Sequence, residues 1–146
     1  ILVYHIDEQG YGLFLDDVER VVRAVAVTPL QDAPDTILGI IDLQGRVVPV
    51  VNLRRKLGAP ERRVGLSDHF VIARTHRRTV ALVVDSAAGV IARPKAEVVA
   101  SGSVVPGLEN LKGIIKLDDA LILVHDLDRF LFSEEEQGLD DVLAKR

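Results

Sequence analysis

The chain has 146 residues and a formal charge of −4, with 48% apolar residues, 27% charged residues and no cysteine. That balance excludes a disordered chain, a disulfide scaffold and a thiolate zinc site, and no basic stripe marks it for nucleic acid. No apolar run approaches the ~18 residues that span a bilayer, so membrane insertion is not expected.

Aromatic residues are only 4%, so the apolar content is mostly Val, Ile, Leu and Ala. Its β-branched part favours strands. Residues 1–6 (ILVYHI), 12–15 and 21–27 are short apolar or alternating runs and read as strands. The chain opens on such a run, with no charged n-region, so a signal peptide is not expected. Residues 37–43 and 46–53 flank Gln44-Gly45 and read as a β-hairpin. Pro49 lies inside the second run. It cannot donate to a ladder, which places it at an edge or a bulge. Residues 53–57 read as about one helical turn, stopped by Gly58.

Residues 69–73 and 79–84 form another strand pair, turning through 75–78, and residues 89–92 follow. Residues 111–117 and 120–125 make a last hairpin across Asp118-Asp119. Ser133 with Glu136 has capping-box spacing, and Glu134 to Glu136 favour a helix start. Gly138 weakens that helix, which reads as short and loosely attached. Strands with short turns and no long helical periods argue for one or two small antiparallel barrels.

The chain also repeats itself. A shift of 74 residues lays GIIDLQGRVVPVVNLRRKL over GIIKLDDALILVHDLDRFL, from Gly39/Gly113 to Leu57/Leu131. A weaker match at a shift of 69 pairs Leu13 with Leu82, Asp16 with Asp85 and Val21 with Val90. A loop absorbs the difference between the two shifts. Two related β units, about 11–58 and 80–132, are expected. Each is too small to hold a large core, so they should pack together.

Catalytic signals are absent. The histidines His5, His69, His76 and His125 show no metal-ligand spacing, and no metal site is expected. His125 reads as a half-buried strand residue. The acid pairs Asp16-Asp17 and Asp118-Asp119 sit where the chain turns, as Asp prefers. Ser67-Asp68-His69 are neighbours in sequence, which does not assemble a triad. Glycines 102, 107 and 113 have no phosphate-loop spacing, so no cofactor is expected. Arg54-Arg55-Lys56 reads as a solvated helix face. A small hydrolase or ligand-binding barrel would need a convergent polar pocket that the residues do not supply. A module that works through strand edges and grooves remains.

ILGIIDLQGRVVPVVNLRRKLG, residues 37–58, resembles the signature of CheW-like chemotaxis coupling proteins, roughly hydrophobic-x-G-hydrophobic-x-N-L-R-G-x-hydrophobic-x-P-hydrophobic-hydrophobic-D-L-R. YGLFLDDVERVV (11–22), VALVVDSAAGVI (80–91) and LKGIIKLDDALILVHDLDRFL (111–131) resemble other family segments in the same order. The resemblance implies an all-β fold of two intertwined five-stranded SH3-like β-barrels with short helical pieces, including a C-terminal one. It places one CheW-like domain at residues 1–132, followed by an acidic helix or tail at 133–146.

It further implies a cytoplasmic, non-enzymatic adaptor. Such proteins couple the cytoplasmic hairpin of methyl-accepting chemoreceptors to the regulatory domain of a CheA-type histidine kinase. The receptor hairpin lies in a groove between the barrels, and the kinase docks on exposed strands of one barrel. By matching position, the receptor-groove candidates are Leu15, Val18, Val21 and Gly39. The kinase-interface candidates are Asp42, Gln44, Gly45 and Arg46. Leu15 and Val21 suit a core as well as a groove, Val18 is expected to be exposed, and Gly39 suits close packing as well as a site.

The chain departs from the family pattern at its hairpin tip. Gln44 replaces the arginine, and Asp42 replaces the asparagine. Gln44 removes a permanent charge and a bidentate fork, which implies weaker coupling or different partners. In the third segment Ala87 replaces a valine. A divergent scaffold of a non-flagellar or motility-related array is the alternative these departures raise.

Overall fold

The computed structural model describes residues 1–91, 111–117, 119–130 and 133–144. Its elements are β1 (Leu2–Ile6), β2 (Gln9–Leu13), a 3-10 turn (Leu15–Asp17), β3 (Val18–Arg23), β4 (Ile37–Leu43), β5 (Arg46–Val51) and α1 (Leu53–Leu57). Then follow β6 (His69–Arg74), β7 (Thr79–Val84), β8 (Ser86–Val90), β9 (Leu111–Leu117), β10 (Ala120–His125), α2 (Leu127–Phe130) and α3 (Ser133–Ala144).

The strands form two five-stranded sheets, ordered β8-β1-β2-β10-β9 and β3-β6-β7-β5-β4. Exchanging each strand with the one five places away turns one order into the other. The duplication is therefore structural, with units β1 to α1 and β6 to α2. These begin upstream of residues 11 and 80, where sequence identity starts. Each unit gives its first two strands to one sheet and its last three to the other. The parallel pairs β2/β10 and β5/β7 join strands of different units. Neither unit builds a sheet alone, which is the physical meaning of intertwined.

Three apolar clusters hold this together, because the central strands are buried on both faces. In β6, Phe70 and Ile72 point into the second sheet's own interior, while Val71 and Ala73 join a cluster shared by both sheets. That shared cluster takes Leu2, Tyr4, Ile6 and Leu13 from the first sheet and Val80, Leu82 and Val84 from the second. Ile1, Val3, Ile115, Ile122 and Val124 fill the first sheet's interior. Double burial makes these strands continuous apolar runs rather than alternating ones.

Several local expectations shift. β2 starts at Gln9, ahead of the run at 12–15, because Gly10 and Gly12 are in the ladder and leave room for Ile122. A Cβ at Gly10 would lie 2.6 Å from Ile122 Cδ1. β3 spans Val18–Arg23 rather than 21–27; the Ala24 N–H makes one more bond in register, to the Asp68 carbonyl, and there the pairing with β6 ends. Pro49 is not at an edge, because β5 lies between β7 and β4. Its partner Ile40 turns its N–H and C=O outward to Thr28. Pro49 therefore occupies a non-hydrogen-bonded position toward β4, where no donor is needed.

α1 has the expected C-cap, with Gly58 left-handed at φ 73°, and Asn52 accepts from the Arg55 N–H at its start. α3 is not loosely attached. Leu139 is fully buried in the shared cluster, and Asp140 pairs with Arg77 at 2.7 Å and also with Arg78. Gly138 weakens the helix but permits its docking, since a Cβ there would meet Pro34 Cγ at 2.9 Å. The Ser133–Glu136 capping box falls on side chains outside the described residues, as does Asp118 of the last turn.

Candidate partner-binding surface

The β4–β5 hairpin turns through Gln44 and Gly45, both with positive φ, 53° and 84°. This is the two-residue turn whose twist matches the strands. Asp42 Oδ1 accepts from the Gly45 N–H at 2.7 Å, so Asp42 serves the turn itself. Residues 44–47 are all exposed, including the apolar Val47 at 49%.

The tip reaches across to β3, the opposite edge of its own sheet. Arg20 Nη2 donates to Gln44 Oε1 at 3.4 Å, and Arg46 pairs with Glu19. The Arg46 hydrogen bond holds the Glu19 carboxyl below its usual range. These contacts draw the sheet's two edges together, and Thr28 completes the closure by exchanging two hydrogen bonds with Ile40 of β4 at 2.8 and 2.9 Å.

β3 carries both sets of candidates. A bulge between Val18 and Arg20 leaves Val18 opposite Ala73 and Val21 opposite Val71. Both valines thus face the shared cluster and are half-buried against it. Val18 is not exposed as expected, because the bulge takes up Glu19 and turns Val18 inward. Leu15, in the turn that carries the chain from the first sheet to the second, is the exposed one at 48%. Gly39 is buried, and its position has a packing reason. At φ 152° it sits beneath Thr28, and a Cβ would lie 2.1 Å from the Thr28 carbonyl oxygen. The tip candidates Asp42, Gln44, Gly45 and Arg46 come together, and β3 links them to Val18 and Val21. Gly39 stands apart under the crossing segment.

Glu19 and Arg20 are the tip's partners, and sequence reading missed them. Their only signal was their place beside Val18 and Val21. The bulge and the curl that bring them to the tip have no local signature.

A second polar cluster sits where the chain crosses between sheets. Arg54 is 9% exposed and is not the solvated residue its basic run suggested. It bonds Asp7 at 2.9 Å, Asp85 at 2.8 Å and the Pro60 carbonyl at 2.9 Å. Asp85 links β7 to β8 and also accepts from Arg62 at 2.8 Å and from the Asp7 N–H at 2.6 Å. Arg62 grips buried Asp68 through two bonds, 2.7 and 3.0 Å. Burial opposes the charges of Asp68 and Asp85, but the guanidinium and backbone donors outweigh it and lower both carboxyls. Every charge here has a partner of opposite sign within the cluster, so it is a clamp between the sheets.

His125 is buried at 1% exposure, not half-buried. It bonds Tyr4 Oη, stacks on Tyr11 with ring centroids 5.0 Å apart, and tilts against Phe130 at 4.6 Å. Its Nε2 has no partner among the described residues. Burial lowers its pKa to about 4. The unfolded chain binds this proton near pH 6.5 and the folded chain only near 4, so folding resists protonation. Stability from His125 is complete above pH 6.5 and falls as pH drops toward 4. We expect a loss of about 1.5 kcal/mol between pH 6.5 and 5 at 1.36 kcal/mol per pKa unit. Urea unfolding across that range checks this, and a flat profile would contradict it.

Among the described residues, no group of three His, Asp or Glu side chains is placed to hold a metal. No helix among them is long and apolar enough to cross a membrane.

The sequence model of the CheW-like domain matches residues 1–135. The chain is 29% identical over 131 residues to the chemotaxis protein CheW of Thermotoga maritima, covering 90% of this chain and 86% of that protein. It is 25% identical over 145 residues to the chemotaxis protein CheW of Treponema pallidum, covering 95% and 85%. The crystal structure of the scaffolding protein TtCheW from Thermoanaerobacter tengcongensis superposes with a TM-score of 0.83 at 28% identity, covering 92% of this chain and 88% of that one.

Proposed function

The chain belongs to the CheW-like domain family and is a non-enzymatic chemotaxis adaptor, and from that premise we propose that it couples chemoreceptor hairpins to a CheA-type histidine kinase in the cytoplasm. The observation that carries this reading is the exposed β4–β5 tip, cross-tied to β3. It presents Gln44, Gly45, Arg46 and Val47 on a sheet whose two edges are tied together. An exposed rim held by such ties suits docking of a folded domain, since holding it in place beforehand lowers the ordering cost of binding. The kinase regulatory domain docks there. The receptor hairpin uses the apolar side of β3, where Leu15 is exposed and Val18 and Val21 are half-buried. A mixed pull-down with the cognate kinase and a receptor cytoplasmic fragment tests this. Retention of both at tens of micromolar is expected, and binding of neither overturns the reading.

Gln44 favours a second reading, a divergent scaffold of a non-flagellar or motility-related array. A neutral tip forms hydrogen bonds worth about 0.5–1.5 kcal/mol, where a charged one forms bonds worth about 1.5–3 kcal/mol. Kinase and receptor genes beside this one favour the first reading, and their absence the second.

A further inference from the structure

This inference rests on the adaptor reading and concerns which kinase domain the tip accepts. Where the family pattern has arginine, this chain has Gln44. The side chain facing Gln44 is a guanidinium, that of Arg20 on β3, 3.4 Å away. The Glu19 carboxylate on β3 is already engaged by Arg46, and Arg20 and Arg74 add to the positive field around it. An arginine at position 44 would set a second cation against Arg20, while Glu19 stays with Arg46 and Asp42 serves the turn through the Gly45 N–H. Like charges that close repel. Glutamine instead offers an acceptor and leaves the Arg20 charge in place.

We propose that Arg20 and Gln44 act together as a specificity pair. The guanidinium that the family pattern places on the hairpin tip is supplied here from β3. The surface therefore fits a kinase regulatory domain whose carboxylate faces the β3 side of the tip. It disfavours a domain built for an arginine on the hairpin itself. Gln44 is half of a charge relocation rather than a simple loss of charge, so restoring arginine alone does not restore the family surface.

Isothermal titration calorimetry with two probes tests this. One is the regulatory domain of the kinase encoded with this chain. The other is the regulatory domain of a kinase whose own coupling protein carries arginine at the tip position. The wild-type chain is expected to prefer the first. Arg20→Ala and Gln44→Arg should each weaken that binding about tenfold. The double variant Arg20→Glu with Gln44→Arg should gain about tenfold for the second domain, beyond either single change. Thermal unfolding checks that each variant is folded. The pair is overturned if Arg20→Ala leaves binding to the first domain unchanged, or if Gln44→Arg alone gains the second domain as well as the double variant does. Failure of the wild type to bind either domain overturns the adaptor reading, and the pair with it.

Discussion

Gly39→Ala is expected to cost about 4 kcal/mol, although it adds one methyl group. At φ 152° an L-residue is strained, which alone costs roughly 1–3 kcal/mol. The added Cβ would also lie 2.1 Å from the Thr28 carbonyl oxygen, a backbone atom that cannot swing aside. Relief requires the crossing segment to lift, which gives up both Thr28–Ile40 hydrogen bonds, each worth about 0.5–1.5 kcal/mol. Urea unfolding measures the loss. A cost under about 1 kcal/mol would show that the segment yields easily and would contradict the packing reason for Gly39.

Arg54→Ala is expected to cost about 3–4 kcal/mol by breaking the clamp between the sheets. Removing one member of a buried ion pair leaves its partners uncompensated, at about 3–5 kcal/mol. The value falls toward the lower end because Asp7 is half-exposed and Asp85 keeps Arg62. The loss should also change the acid limb of stability. Asp68 and Asp85 have lowered carboxyl pKa values, so their contribution is present above about pH 4 and is lost as pH falls through their lower folded values. Arg54→Ala should blunt the Asp85 part of that acid loss and leave unchanged both the Asp68 part, set by Arg62 and the Gly65 N–H, and the His125 window above it. Thermal unfolding from pH 3 to 7.5 separates the two windows. Wild-type stability in the variant would contradict the clamp.

The two polar clusters show why only part of the molecule could be read ahead of its structure. The Gln44-Gly45 turn, the α1 cap at Gly58 and the 74-residue repeat are local or periodic features, and each was legible. Arg54 looked like one of three surface cations on a short helix. Its burial depends on Asp7 and Asp85, 47 and 31 residues away, and on a helix position that only the crossing of the sheets creates. His125 looked half-buried because it ends a strand, yet α2 and both tyrosines close over it.

The candidate surface divides in the same way. Gly39 was recognised as a special glycine, but its reason is the backbone of Thr28, which no short-range pattern announces. The acids that flank Val18 point to an exposed side chain. A bulge opposite Ala73 turns it inward.

The strand-rich composition, the duplication, the hairpin tip and the family resemblance are legible from residue order alone. All of these rest on neighbouring residues or on a fixed repeat. It takes the folded chain to show that each unit shares its strands between two sheets, that Arg54 and His125 are interior, and that Arg20 stands against Gln44. Those outcomes arise from contacts between distant residues, where pairing and curvature of the sheets choose which side chains meet.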